Sequence, residues 1–165
     1  VEAIYSDGRI KLSESGYGSS WKKRWWTSIQ SGPNYYQKPY KLQGFIYNPA
    51  GVTSSTQTNS DHPAIKYVEE ALKHVGSGGH AWVKSKTSIG NGAWCAATCC
   101  AVGIVTGLAG VVMPKAEYWA AGFGRDVVEK YGGEYIPGPQ MGNKDAVPQA
   151  GDFMILTDQI KVEHI

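Results

Sequence analysis

The chain has 165 residues, 42% of them apolar and 18% charged, which is the balance of a water-soluble globular protein. The length suits one ordinary domain, or a small module plus a domain of about 100 residues. A net charge of +2, with no basic block beyond Lys22-Lys23-Arg24, is too small to argue for a nucleic-acid partner, and none is expected.

The first fifty residues read as strands. Val1, Ala3 and Tyr5 alternate up to Asp7-Gly8, and Ile10 and Leu12 follow. An Asp-Gly pair between alternating segments predicts a hairpin with a two-residue loop. Trp21, Trp25 and Trp26 fit either a helical turn or an aromatic strand. Tyr40, Leu42 and Phe45-Ile46-Tyr47 predict a further strand pair ended by Asn48-Pro49. Residues 51–60 are a polar, low-complexity run with the composition of a linker. The expected organisation is therefore a small β-rich module over 1–50, a linker over 51–62, and a second domain over 63–165.

That second domain opens with a well-signalled helix. Ser60 or Asp61 is placed to cap it and Pro63 suits its first turn. Ala64, Ile65, Val68, Ala71, Leu72 and Val75 form one apolar face, and Glu69 and Lys73 are spaced as an i,i+4 ion pair. Gly76-Ser77-Gly78-Gly79 ends it, and a loop carrying His80 and Trp82 follows. A second helix starts at Cys95 and runs to about Val105. A third is expected from Lys115 to Tyr131, stopped by Gly132-Gly133. Tyr135-Ile136-Pro137-Gly138-Pro139 begins an irregular stretch. Ala146 to Asp152 is a turn, Phe153-Met154-Ile155-Leu156 a buried strand, and Ile160, Val162 and His164 alternate on one face of a final strand.

From Gly92 to Met113 there is no charged residue, a run long enough to span a bilayer. It is rich in Gly, Ala, Thr and Cys, and Gly107-Leu108-Ala109-Gly110 punctuates it, so a buried helix followed by a loop is expected and no membrane span. With neither an initiator Met nor a signal peptide, the chain is expected to begin inside a longer product.

The three cysteines, Cys95, Cys99 and Cys100, are odd in number and share one helix, which excludes a disulfide framework. No second Cys/His pair lies at ligand spacing, so no metal is expected, and no organic cofactor is implied. Cys99 and Cys100 read as small buried hydrophobes. Cys95 differs. It follows a glycine-rich turn and stands in the first turn of a helix, where free N–H groups and the macrodipole favour a thiolate. Such a position lowers a thiol pKa from about 8.5 into a range of roughly 3.5–7.5. A thiolate nucleophile needs a base. His62 and His74 read as solvated surface, His80 as a weaker candidate, and His164 as the strand histidine able to lie beside Phe153–Leu156.

The order Trp94-Cys95-Ala96-Ala97, then Val147-Pro148-Gln149-Ala150-Gly151-Asp152-Phe153, then His164-Ile165, resembles the CHAP/NlpC-type cysteine amidohydrolases and peptidases over about residues 63–165. These are papain-like enzymes that cut peptide or amide bonds of bacterial cell walls and occur in phage endolysins, tail-associated lysins and autolysins. The resemblance implies an α+β fold, a papain-like core of helices packed on an antiparallel sheet. It implies Cys95 as nucleophile, His164 as general base, peptidoglycan as substrate, and an extracellular or cell-wall location. Asp152 would orient the turn. Trp94 and Trp82 are candidates for the substrate groove, with core packing the alternative for both. The family's third polar residue, which follows the histidine, has no counterpart before the chain stops; Asn91 and Asp158 are out of place for it. A missing C-terminal segment or second chain is therefore expected to complete the fold. The alternative reading is a non-catalytic structural or wall-binding component, for instance of a phage tail, carrying a degenerate hydrolase fold. The twelve per cent aromatic content, with six Trp and ten Tyr, suits a ligand-contacting surface in either case.

Overall fold

Alternating apolar residues at the start of the chain do form a hairpin. In the computed structural model, which describes residues 1–15, 25–31, 41–47, 62–76, 79–90, 94–137, 148 and 151–157, β1 (Ala3–Ile4) pairs antiparallel with β2 (Ile10–Ser15). Its loop has three residues, Ser6-Asp7-Gly8, and not the expected two: the Tyr5 amide donates to the Arg9 carbonyl at 2.8 Å and the Gly8 amide to the Tyr5 carbonyl at 3.0 Å. Gly8 takes φ +82°, the left-handed conformation that closes a three-residue hairpin. Trp25 and Trp26 belong to β3 (Trp25–Gln30), which pairs along the whole of β2 and settles the helix-or-strand choice in favour of strand. Trp21 lies outside the described residues.

β4 (Lys41–Tyr47) is one strand and not a pair. Its partners come from far along the chain: β5 (Glu134–Pro137) on one side and β6 (Phe153–Thr157) on the other, both antiparallel. Two consequences correct the sequence reading. The stretch from Tyr135 to Pro137 is an ordered strand edge, because Ile46, Phe45 and Gly44 supply it with a ladder. The boundary expected at 51–62 also does not divide the sheets, since the middle strand of the second sheet lies on its N-terminal side. A β-bulge or irregularity between Leu42 and Gly44 accommodates the register change against β6.

Four helices complete an α+β architecture. α1 (Pro63–Leu72) has Pro63 at its start as expected, but its cap is His62, whose Nδ1 accepts from the Ala64 amide at 3.2 Å. Burial centres on Ala64, Tyr67 and Ala71, while Leu72 is 37% exposed. The apolar face is thus turned toward the tyrosine, whose hydroxyl donates to the Cys99 carbonyl at 3.1 Å. Lys73 pairs with Glu70 at 2.7 Å, the i,i+3 neighbour, in place of the anticipated Glu69.

The segment carrying His80 and Trp82, expected as a loop, is α2 (His80–Lys86). Seven residues have little intrinsic helicity, so tertiary burial of His80 and Val83, one turn apart, holds it. The Thr87 hydroxyl closes its end by donating to the Val83 carbonyl at 2.9 Å.

α3 (Cys95–Thr106) is the central element, packed by α1, α2, α4 (Ala120–Tyr131) and β2. Its small side chains make this close approach possible: Ala96, Ala97, Thr98, Cys100, Ala101, Val102 and Gly103 are all buried. Gly107, at φ +77°, ends it, with the Leu108 and Ala109 amides donating to the Gly103 carbonyl at 2.8 and 2.9 Å. No helix among the described residues is long and apolar enough to cross a membrane. α4 begins five residues later than expected from Lys115, because Glu117 Oε1 accepts from the Tyr118 and Trp119 amides at 2.8 and 2.9 Å and holds the preceding turn.

The main core joins α1, α3, α4 and the second sheet through Ile46, Tyr67, Cys100, Met113, Phe123, Val127 and Phe153. Phe153 of β6 meets Tyr67 of α1 edge-on at 5.8 Å and Phe123 of α4 at 4.9 Å. One ring therefore ties the strand to two helices. A smaller cluster, Val83, Ile89, Trp94, Ala97 and Ala101, fills the space between α2 and the start of α3.

Candidate functional site

Cys95 is the first residue of α3 and half-buried. Among the described residues, burial pushes its thiol above the ordinary value, and the Ala96 and Cys95 amide N–H groups pull it down. Burial is the larger influence. The expectation that the helix start alone lowers this thiol is therefore corrected: two amide donors favour the thiolate, but they do not outweigh desolvation. His164, Asn91 and Asp158 lie outside the described residues.

Of the other two thiols, Cys100 is buried as expected, whereas Cys99 is only partly buried. Cys100 is fully enclosed, and burial first, then the neighbouring Cys99, push it up to about 12. Cys99 is pushed up to about 11 by burial, against a lowering hydrogen bond from Tyr67. Neither is a nucleophile near neutral pH. Among the described residues no group of three or more His, Cys, Asp or Glu is arranged to hold a metal ion.

Trp94 caps the start of α3 through its backbone: its carbonyl accepts from the Thr98 amide at 2.8 Å and the Thr98 hydroxyl at 2.9 Å. Its indole is 2% exposed within the smaller cluster. Of the two roles open to it, burial supports core packing over a groove wall. Trp82 is half-buried and lies on the His74 ring, centroids 3.8 Å apart and planes 30° apart. That stack joins α2 to the end of α1.

Three histidines have structural placements that residue spacing did not reveal. His62 caps α1. His74, taken for solvated surface, is partly buried between Trp82 and the Glu70 carboxylate, with Nε2 3.2 Å from Glu70 Oε1. His80 is 5% exposed and meets the Trp94 ring edge-on, at 5.4 Å and 75°. The signal for His80 was present in the sequence: His80 and Val83 are one helical turn apart. It was hidden because Gly78-Gly79 suggested a loop.

Asp152 is 2% exposed in the turn before β6, and its carbonyl accepts from the Val1 amino group at 2.8 Å. Gly151 beside it has φ +95°, and its backbone rests against Ala64 of α1. The turn is thus held close to the start of α1. No family model, curated protein or solved structure matches the chain.

Proposed function

We propose that the chain carries a papain-like thiol hydrolase core that cleaves a peptide or amide bond of peptidoglycan, at the cell wall or outside the cell, as phage-associated and autolytic wall hydrolases do. The observation that carries the reading is the placement of Cys95. It is half-exposed, it opens the central helix, and two amide N–H groups act on its thiol. The α+β arrangement and the pinned turn before β6 are compatible with it.

In the proposed reaction His164 takes the Cys95 proton and the sulfur attacks the scissile carbonyl carbon. The tetrahedral oxyanion accepts from the Cys95 amide, a donor of a kind worth roughly 3 kcal/mol in the transition state. Collapse expels the amine, which leaves with the proton from His164, and a thioester remains. Water, deprotonated by the same imidazole, then releases the acid and regenerates the thiol. No cofactor enters the cycle.

The test replaces Cys95 with Ala in the intact protein and follows the turbidity of Gram-positive cell walls. Loss of lysis is expected, and unchanged lysis overturns the assignment. His164→Ala is expected to move iodoacetamide alkylation of Cys95 to more alkaline pH, because burial then acts against the two amides alone. A second reading, a non-catalytic structural or wall-binding component, is favoured by that same burial. It is the reading to adopt if wild-type Cys95 alkylates only above the free-thiol range.

A further inference from the structure

We infer that His80 is a positioning residue for Cys95: through the edge-on contact of its imidazole with the buried Trp94 indole, it fixes the first turn of α3. The inference rests on the reading of Cys95 as nucleophile.

Trp94, immediately before the thiol, is held at two points. Its carbonyl is tied forward along α3 by the Thr98 amide and hydroxyl, at 2.8 and 2.9 Å. Its indole packs among Val83 and Ile89, which precede it, and Ala97 and Ala101 of α3, with the His80 ring edge-on at 5.4 Å. Trp94 is among the largest fully buried side chains. At interior packing density, an indole of this size cannot turn without displacing the backbone that carries it. That backbone continues directly into Cys95.

His80 is 5% exposed, so its ring is part of the packed interior and its edge-on contact with Trp94 is made away from solvent. The geometry of α2 shows what it supports. His80 and Trp82 are two residues apart, about 200° around a helix, and so face opposite ways. Trp82 stacks on His74 in the turn after α1, and His80 abuts Trp94 at the start of α3. This short helix is a strut: braced on the turn after α1 by one His–Trp contact, it holds the nucleophile's turn through another. Misplacement by about 1 Å at a reacting atom costs about a hundredfold in rate, so a contact one residue away can govern chemistry it does not touch.

The experiment compares His80→Ala and His80→Phe with wild type, using far-UV circular dichroism for the fold, peptide-mapped iodoacetamide alkylation for Cys95, and wall lysis for kcat and KM. His80→Ala is expected to slow Cys95 alkylation at neutral pH and lower kcat, each about tenfold or more, with KM unchanged. His80→Phe, which keeps an edge-on ring, is expected to restore both to within about twofold. Alkylation of His80→Ala at the wild-type rate overturns the inference, as does a His80→Phe variant as slow as His80→Ala. Should His80→Ala fail to fold, Trp94→Phe, which trims the contacted ring, is expected to slow alkylation likewise, and a wild-type rate there overturns the inference. The alkylation arm is independent of lysis. If Cys95→Ala still lyses walls, the hydrolase reading fails, whereas the alkylation rates still decide whether His80 sets the Cys95 turn.

Discussion

Gly151→Ala tests whether the turn before β6 is locked to α1. Gly151 has φ +95°, where an L side chain costs about 1–2 kcal/mol. A Cβ there would stand 2.8 Å from the Ala64 Cβ, well inside ordinary contact. Ala64 is completely buried in the first turn of α1, and its amide is held by His62 Nδ1, so relief requires the helix itself to shift. Overpacking of that kind costs about 1–3 kcal/mol. Together the two effects predict a loss of about 2–5 kcal/mol, read from urea unfolding followed by circular dichroism. At about 2–4 °C per kcal/mol for a chain of this size, Tm should fall by roughly 4–20 °C. Ala64→Gly in the same background separates the causes. It removes the opposing Cβ, so the double variant should be more stable than the sum of the single changes by about the overpacking share. A Gly151→Ala protein within about 0.5 kcal/mol of wild type, or a strictly additive pair, would refute the argument.

Two further changes probe the core and the charge on α1. Met113→Ala should cost about 2–5 kcal/mol, since Met113 is fully buried. Its sulfur would lie 2.5 Å from a Cβ at Gly103, so Gly103→Ala should be less damaging with Ala at 113 than alone, measured in a denaturation cycle. For Glu70, the hydrogen bond from Lys73 and then that from His74 hold the carboxyl below the usual range. A lowered folded value means the contribution is complete above the unfolded carboxylate range near 4.3 and is lost as pH falls through the folded value. Glu70→Gln should therefore remove less than about 1 kcal/mol at pH 7 and flatten the acid limb of stability against pH; an unchanged limb refutes the pairing.

Helices with strong punctuation were legible before the fold was known. Pro63 marked the start of α1, Cys95 the start of α3, and Gly107 and Gly132 the ends of α3 and α4. Each is a local backbone preference, written in one or two residues. The failures share another cause. α2 was hidden because a seven-residue helix is held by burial of His80 and Val83 and not by propensity. β4 was mistaken for a strand pair because its partners, β5 and β6, come from residues 134–157. Trp94 was ambiguous because a tryptophan is equally suited to a groove and a core, and only its neighbours decide.

The sequence by itself determined the helix starts at Pro63 and Cys95 and the glycine stops at Gly107 and Gly132, since these are backbone preferences written along a single element. Tertiary structure alone decided that β4 joins the C-terminal strands, that His74 and His80 each meet a tryptophan across an element boundary, and that burial raises the Cys95 thiol. The physical reason is common to all three. Pairing, ring contact and desolvation depend on which distant surfaces meet, and local patterns carry no record of that.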